Sequence, residues 1–289
     1  MGPCAGFVIC PVCAGPLTEA DRTLRCPQGH AFDRAREGYV HLLPAGHGLS
    51  KVRGDTAEML RARRRFLEQG YFEPLASSIA AAARHHTAAR PHEHPAATVL
   101  EAGCGEGYYI GYVAARLRET DPAPCFIGVD VSRDAVRLAA RAYREVLFLV
   151  NDVKHRICVA DAFVDVLIDV FAPRNPAEFA RVTRPDGLLL VAIPAAGHLK
   201  ELRTEFPLLG LEEAKRERTV ERFSPQFELT REDALTYTLE LDTSAVLDLL
   251  RMTPNYWHLP EEALAQAATR GSRVVTVDVR LLHFRRAPT

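Results

Sequence analysis

The chain has 289 residues, 36 Lys and Arg against 37 Asp and Glu, and 47% apolar residues. That length and apolar content suit one large α/β domain plus a small extra one. A net charge of −1 excludes a plain polycation for nucleic acid, so any RNA contact must come from a local basic patch. No apolar run approaches the ~20 residues of a membrane helix, and no signal peptide heads the sequence. The seven cysteines, an odd number with one tight pair, point to a reducing, cytoplasmic setting and to a metal rather than to disulfides.

Residues 1–8 read as a loose leader in which Cys4 is a bystander. Cys10-Pro-Val-Cys13 and Cys26-Pro-Gln-Gly-His30 then give the pattern Cys-x2-Cys-x12-Cys-x3-His. Thiolates and an imidazole at that spacing suit tetrahedral zinc, and four protein ligands close the shell, so the metal is expected to be structural. Pro27 and Gly29 between the last two ligands argue against a DNA-reading helix there. The expectation is a ribbon of two knuckles with Arg22–Arg25 as a strand between them. Its core is expected to be separate from that of the rest of the chain.

Gly54-Asp55-Thr56 opens a helix, with Asp55 or Thr56 as N-cap. That helix carries Arg61, Arg63, Arg64 and Arg65, and with Arg34, Arg36, Lys51 and Arg53 it is the densest basic region. Arg61, Arg64 and Arg65 share a face by i, i+3, i+4 spacing, so they are the candidate RNA contacts, with Arg63 less important. Gly70–Pro74 ends this helix. An alanine-rich helix, Leu75 to Arg84, then leads into a polar linker, His85 to Pro95.

From Ala96 strands and helices alternate. The reading is strand 97–102, helix 108–118, strand 125–130, helix 133–144, strands 146–150 and 164–171, helix 176–183 and strand 187–193, with Arg184–Gly187 as a turn. Helices near 199–206, 243–251 and 260–269 and strands near 234–241 and 273–284 complete the set. Such alternation implies a parallel sheet with helices on both faces. Ligands then bind beyond the carboxyl ends of the strands. That edge holds Gly103–Gly107, Asp130, Asn151, Asp152, Phe171–Pro173 and Pro194–His198.

The stretch Val99-Leu-Glu-Ala-Gly-Cys-Gly-Glu-Gly-Tyr-Tyr109 is a strand, a glycine turn and a helix start. Gly103, Gly105 and Gly107 permit a tight turn and close approach of a ligand. Roughly twenty residues on, a second strand ends in Asp130, the distance at which an acid reaches ribose hydroxyls. Gly-x-Gly-x-Gly flanked by Glu101 and Glu106 suits a cationic sulfonium and ammonium better than a pyrophosphate. The pattern resembles the first two motifs of class I S-adenosylmethionine (SAM) dependent methyltransferases.

Taken together, the motifs resemble the bacterial 23S rRNA guanine-N1 methyltransferases of the RlmA/TlrB type. The resemblance is carried by the zinc motif, Phe32-Asp33, Glu37-Gly-Tyr-Val40, Leu42-Leu43 and Gly54-Asp-Thr-Ala-Glu-Met59. It continues through Ala62-Arg63-Arg64, Gly103–Tyr109, Asp130-Val-Ser132, Phe171–Pro173, Pro194 with His198-Leu199, and Met252-Thr-Pro254 before Trp257. It implies a guanine in the helix 35 hairpin loop of 23S rRNA as substrate, a homodimer, and structural zinc on Cys10, Cys13, Cys26 and His30. It carries over Phe72, the loop of Gly103, Cys104, Gly105, Glu106 and Gly107, and His198 as SAM contacts; the motif and the sheet edge add Glu101, Asp130, Asn151 and Asp152 to the expected site. Residues 169–176 lean toward the branch linked to macrolide resistance. Asp169 and His198 are the titratable candidates for the N1 proton.

The implied architecture is a class I, Rossmann-like methyltransferase domain over 96–289, a zinc-binding domain over 1–45 and a helical basic connector over 46–95. Two other functions fit parts of the pattern. One is a small-molecule methyltransferase; the other is an inactive zinc-containing RNA-binding protein.

Overall fold

The computed structural model describes residues 4–43, 55–89, 96–119, 124–210 and 214–287. Lys51, Arg53 and Gly54 lie outside them, as does the linker from 90 to 95. The N-terminal part forms an antiparallel three-stranded sheet of β1 (Thr18–Ala20), β2 (Thr23–Arg25) and β3 (Ala31–Asp33), followed by β4 (Val40–His41). Two helices follow, α1 (Ala57–Glu68) and α2 (Glu73–Ala88). The Thr56 hydroxyl accepts the Met59 N–H at 3.2 Å and so starts α1.

Alternation then begins with β5 (Thr98–Ala102), α3 (Tyr108–Leu117), β6 (Cys125–Asp130), α4 (Arg133–Ala142) and β7 (Leu147–Val150). It continues with β8 (Val164–Val170), α5 (Pro176–Val182), β9 (Thr183–Pro194), α6 (Lys200–Glu205) and α7 (Lys215–Phe223). The last elements are β10 (Phe227–Leu241), α8 (Thr243–Arg251), α9 (Glu261–Thr269) and β11 (Arg273–Arg286).

The main sheet runs β10-β11-β9-β8-β5-β6-β7-β4. The strands from β9 to β4 are parallel, whereas β11 is antiparallel to β9 and pairs with β10 as a long hairpin. Every residue of β5, β7 and β8 is buried, as near-continuous apolar runs in a covered parallel sheet must be. From β5 the chain moves outward to β6 and β7, then returns to β8 on the other side of β5. The reversal between β5 and β8 is the crevice where ligands of open α/β sheets bind.

One face of the sheet packs under α1 to α4 and α8, with Phe66, Phe72, Ile79, Val113 and Leu249 in its core. The other packs against the small N-terminal sheet: Val8, Leu17 and Leu24 share a core with Ile127, Leu149, Phe179 and Phe223. The expectation of separate cores is therefore corrected. Three strands of three residues offer too little apolar surface to close a core alone. They close it against the main sheet, and β4 extends that sheet at its edge.

Three further differences stand out. Cys4, read as a bystander, is disulfide-bonded to Cys125 at the start of β6, which also corrects the reading of the cysteines as free of disulfides. Helix α7 had no counterpart in the sequence reading, and β10 begins at Phe227, ahead of the expected 234. Among the described residues no helix is long and apolar enough to cross a membrane.

Candidate active site

The glycine loop leaves β5 and turns into α3 with Gly103, Gly105 and Gly107 all at positive φ (74°, 53° and 85°). A side chain at Gly103 would put its Cβ 2.5 Å from that of Ala172, and at Gly107 3.0 Å from the Phe148 ring. The glycines thus serve both the turn and the close packing of the β8–α5 loop against it. Glu101, fully buried, accepts the Ile110 N–H at 2.9 Å and ties α3 to the loop. Burial, reinforced by neighbouring acids, lifts its carboxyl well above the ordinary range.

Asp130 ends β6 and accepts two backbone N–H groups, Gly105 at 2.9 Å and Ser132 at 2.8 Å. It fixes the loop from the neighbouring strand. Glu106 is buried, and its Oε2 has no hydrogen-bond partner among the described residues. Burial raises its carboxyl to about 7 against the opposing charge of Arg63. A buried carboxylate with one oxygen lacking a hydrogen bond, beside three turned glycines, fits a cationic, phosphate-free ligand. The residues present therefore fit SAM, and Glu106 and Asp130 are the acids of this loop that could face it.

Other expected residues are placed differently. Cys104 turns into the core with Val136 and Phe148, and burial keeps its thiol protonated. Asn151 Oδ1 accepts the Cys158 N–H at 2.9 Å, and Asp152 holds Lys154 N–H and His155, so both side chains shape the loop after β7. Their backbone lies beside Asp130, through Asn151 N–H donating to the Asp130 carbonyl at 2.9 Å.

Phe72, Phe171 and His198 form an aromatic group with ring centroids 6.0–6.4 Å apart. Phe171 is 41% exposed and sits at φ 52°, a strained conformation for a residue with a side chain. His198 Nδ1 accepts the Asp278 N–H at 3.3 Å, which puts the ring proton on Nε2. Burial and then the charge of Arg203 pull this imidazole down to about 4. It is a neutral donor at pH 7. Asp169 is fully buried in β8, receives Arg174 Nε at 2.8 Å on Oδ1, and leaves Oδ2 without a partner among the described residues. Burial lifts it to about 7, with Arg174 opposing.

The basic helix α1 spends its arginines unequally. Arg64 pairs with Glu68 at 2.7 Å, and Arg65 forks onto both oxygens of Asp248 at 2.5 and 2.9 Å. Arg61 is exposed. Arg63 goes inward: it bonds Asp55 at 2.5 Å and the Met252 carbonyl at 2.6 Å, and lies 4.0 Å from Glu106. A side chain at Gly105 would meet its guanidinium. Arg63 thus joins α1 and the end of α8 to the glycine loop. Sequence reasoning ranks it below its neighbours as an RNA contact and gives it no place at the glycine loop, although position 63 lies in the buried stripe of Met59, Leu60, Phe66 and Leu67.

At the other end of the chain's first module, Cys10, Cys13, Cys26 and His30 place their donor atoms within 4.8 Å of one another. The Sγ···Sγ separation of Cys13 and Cys26 is 3.6 Å, and His30 Nδ1 lies 3.6 and 3.3 Å from the sulfurs of Cys10 and Cys26. A zinc tetrahedron with ordinary bond lengths has S···S edges of about 3.8 Å and S···N edges of about 3.6 Å. The four residues fit the metal, and with no open position the site is structural.

Residues 8–51 match the zinc ribbon described as RlmA, N-terminal, and residues 99–187 match a methyltransferase domain. A Streptomyces fradiae protein named 23S rRNA (guanine(748)-N(1))-methyltransferase is 37% identical over 284 residues, spanning 98% of both chains. The chain belongs to the 23S rRNA (guanine-N1)-methyltransferase family. A Micromonospora griseorubida protein to which that activity is attributed is 40% identical over 291 residues, 96% of each chain. YxjB of Bacillus subtilis strain 168, with the same attribution, is 33% identical over 280 residues, 94% of this chain and 95% of its own. As a member of the guanine-N1 methyltransferase family the chain combines both parts that the two domain matches describe, the zinc ribbon and the SAM fold.

Proposed function

We propose that this protein transfers the methyl group of SAM to N1 of a guanine in the helix 35 hairpin loop of 23S rRNA, acting as a homodimer in the cytoplasm. One observation carries the reading. The crevice between β5 and β8 sets a glycine loop with a buried acid, Glu106, whose Oε2 has no hydrogen-bond partner among the described residues, directly against the loop that exposes Phe171. The first suits the cofactor and the second offers a flat apolar face to a base taken out of its stack.

Bound SAM supplies an electrophilic methyl group on a sulfonium. The chain's residues supply position and proton handling. Asp130 and Glu106 hold the cationic and hydroxyl-bearing ligand, Arg63 closes α1 over it, and Phe171 supports the ring. Guanine N1 carries a proton that must leave as the new bond forms. His198 is a poor acceptor because its Nδ1 lone pair is already engaged and its Nε2 is protonated; it donates instead. Asp169, near 7, is the side chain able to take that proton. If so, the chemical step rises with pH up to about 7, as the carboxylate fills, and then levels off.

The deciding experiment is tritium transfer from labelled SAM into protein-free 23S rRNA, followed by reverse transcription. A methyl at N1 blocks pairing and stops the polymerase one nucleotide early, and the position of the stop tells neighbouring guanines apart. Transfer to small molecules alone, with RNA unlabelled, would overturn the reading. Sedimentation of the purified chain checks the homodimer.

A further inference from the structure

A second concave surface opens beside Asp169, on the face away from Phe72. One hollow, of about 470 Å³, lies between Lys154 on the β7–β8 connection, Pro173–Asn175 after β8, and Arg222 on α7. A second, of about 370 Å³, shares Arg174 and Arg222 and continues along α7 past Lys215 and Arg218. Among the described residues that line the two hollows, five are cationic and one, Glu221, is acidic; Arg174 also pairs with buried Asp169 at 2.8 Å.

The helix is built for this. Lys215, Arg218 and Arg222 recur at i, i+3 and i+7, so they lie along one side of α7. Phe223 and Thr219 are buried and anchor it, and Arg216 is drawn off to Glu232 at 2.6 Å. From Lys215 to Arg222 the row is about 10 Å long at the α-helical rise, longer than one phosphate group. The groove begins at Pro173, two residues from the exposed Phe171 ring. The charges of Lys215 and Arg222 are also felt at buried Asp169.

We infer that this double groove binds the phosphodiester backbone flanking the target base, and that it is the principal electrostatic contact with RNA. A row of Arg forks and Lys points is the donor set that an extended polyanion requires. Its length favours a polynucleotide over a single nucleotide. Among the described residues no aromatic side chain lines its walls, which favours backbone over bases. This inference rests on the proposed RNA substrate and names the surface that holds it.

The test uses Arg218→Glu, an exposed helix position outside the cofactor site and the zinc site, with Arg218→Lys as the charge-keeping control. Binding to protein-free 23S rRNA is titrated between about 50 and 200 mM salt. Arg218→Glu should weaken binding about tenfold near the middle of that range. It should also flatten the slope of log K against log salt by about 0.7 or more, the value for one lost single-strand phosphate contact. Arg218→Lys should restore most of both, while SAM affinity and zinc content stay at their starting values in each variant. Unchanged affinity and slope in Arg218→Glu, with normal binding by the unaltered protein, would overturn the groove and leave the substrate reading standing. If the unaltered protein neither binds nor methylates the RNA, the substrate reading falls first and the groove with it.

Discussion

Helices α1 and α7 are both short, basic and amphipathic, yet they place their charges on different surfaces. In α1 the arginines are met by carboxylates of the fold itself: Glu68 holds Arg64, Asp248 holds Arg65, and Asp55 holds Arg63. In α7 three cations share one side and face a groove. A run of arginines in a sequence counts cations but does not say which acids fold back onto them. Asp248 lies 183 residues from Arg65, so no local window could have shown the pairing. On this comparison we assign α1 to the proposed cofactor site and α7 to the inferred RNA groove.

The sharpest way to break the comparison is Arg63→Ala. It removes hydrogen bonds to a carboxylate and to a carbonyl and unlatches α1 from the glycine loop. Charged hydrogen bonds of this kind contribute about 1.5–3 kcal/mol each. We expect SAM affinity by calorimetry to fall roughly fiftyfold and thermal stability to drop, with the salt slope of RNA binding unaltered. A flattened slope with normal SAM binding would instead make α1 an RNA helix.

Comparable in size is the effect of Asp130→Ala. It takes away the acceptor of the Gly105 and Ser132 N–H groups and, on the proposed reading, the charged partner of the ribose hydroxyls. A ten- to hundredfold rise in the SAM dissociation constant is expected from about 1.5–3 kcal/mol. An unchanged constant would put the ribose elsewhere.

Glu106→Gln should separate function from stability. The folded carboxyl is raised from 4.5 to about 7 by burial, so the group favours the fold only while protonated. That contribution is complete below about 4.5 and is lost as pH rises through about 7. At pH 8 the ligand-free Glu106→Gln protein should therefore melt higher than the unaltered one, by up to about 3 kcal/mol of stability, while binding SAM more weakly. A lower melting temperature at pH 8 would mean that Glu106 is satisfied as an anion. The smallest effect belongs to Arg61→Ala: an exposed helix position should shift stability by no more than about 0.5 kcal/mol and leave RNA affinity within twofold.

Much of the site was legible because its parts are contiguous. The four zinc ligands sit in two short turns, the glycines fall within five residues, and Asp130 ends the next strand. Burial patterns also located the parallel strands, since a covered strand must be apolar along its whole length. What escaped depended on contacts between distant residues. The two-residue strand β4 is too short to have a period, and it is recognisable only through its pairing with β7. The Cys4–Cys125 bond spans 121 residues. Arg63 did leave a trace, as a charged residue inside an apolar stripe, but the surrounding arginines hid it. Lys-Arg-Glu-Arg-Thr-Val-Glu-Arg-Phe of α7 buries only Thr219 and Phe223, so its apolar face is too thin to stand out among the charged residues.

All of these assignments meet at one atom. The most direct measurement is mass spectrometry of nucleosides from 23S rRNA incubated with this protein and SAM carrying a labelled methyl group. The account predicts a single labelled product, N1-methylguanosine, in one labelled nucleoside per RNA. Label at guanine N7 or on a ribose oxygen would contradict it, because Phe171 and Asp169 would then be arranged around a different edge of the substrate.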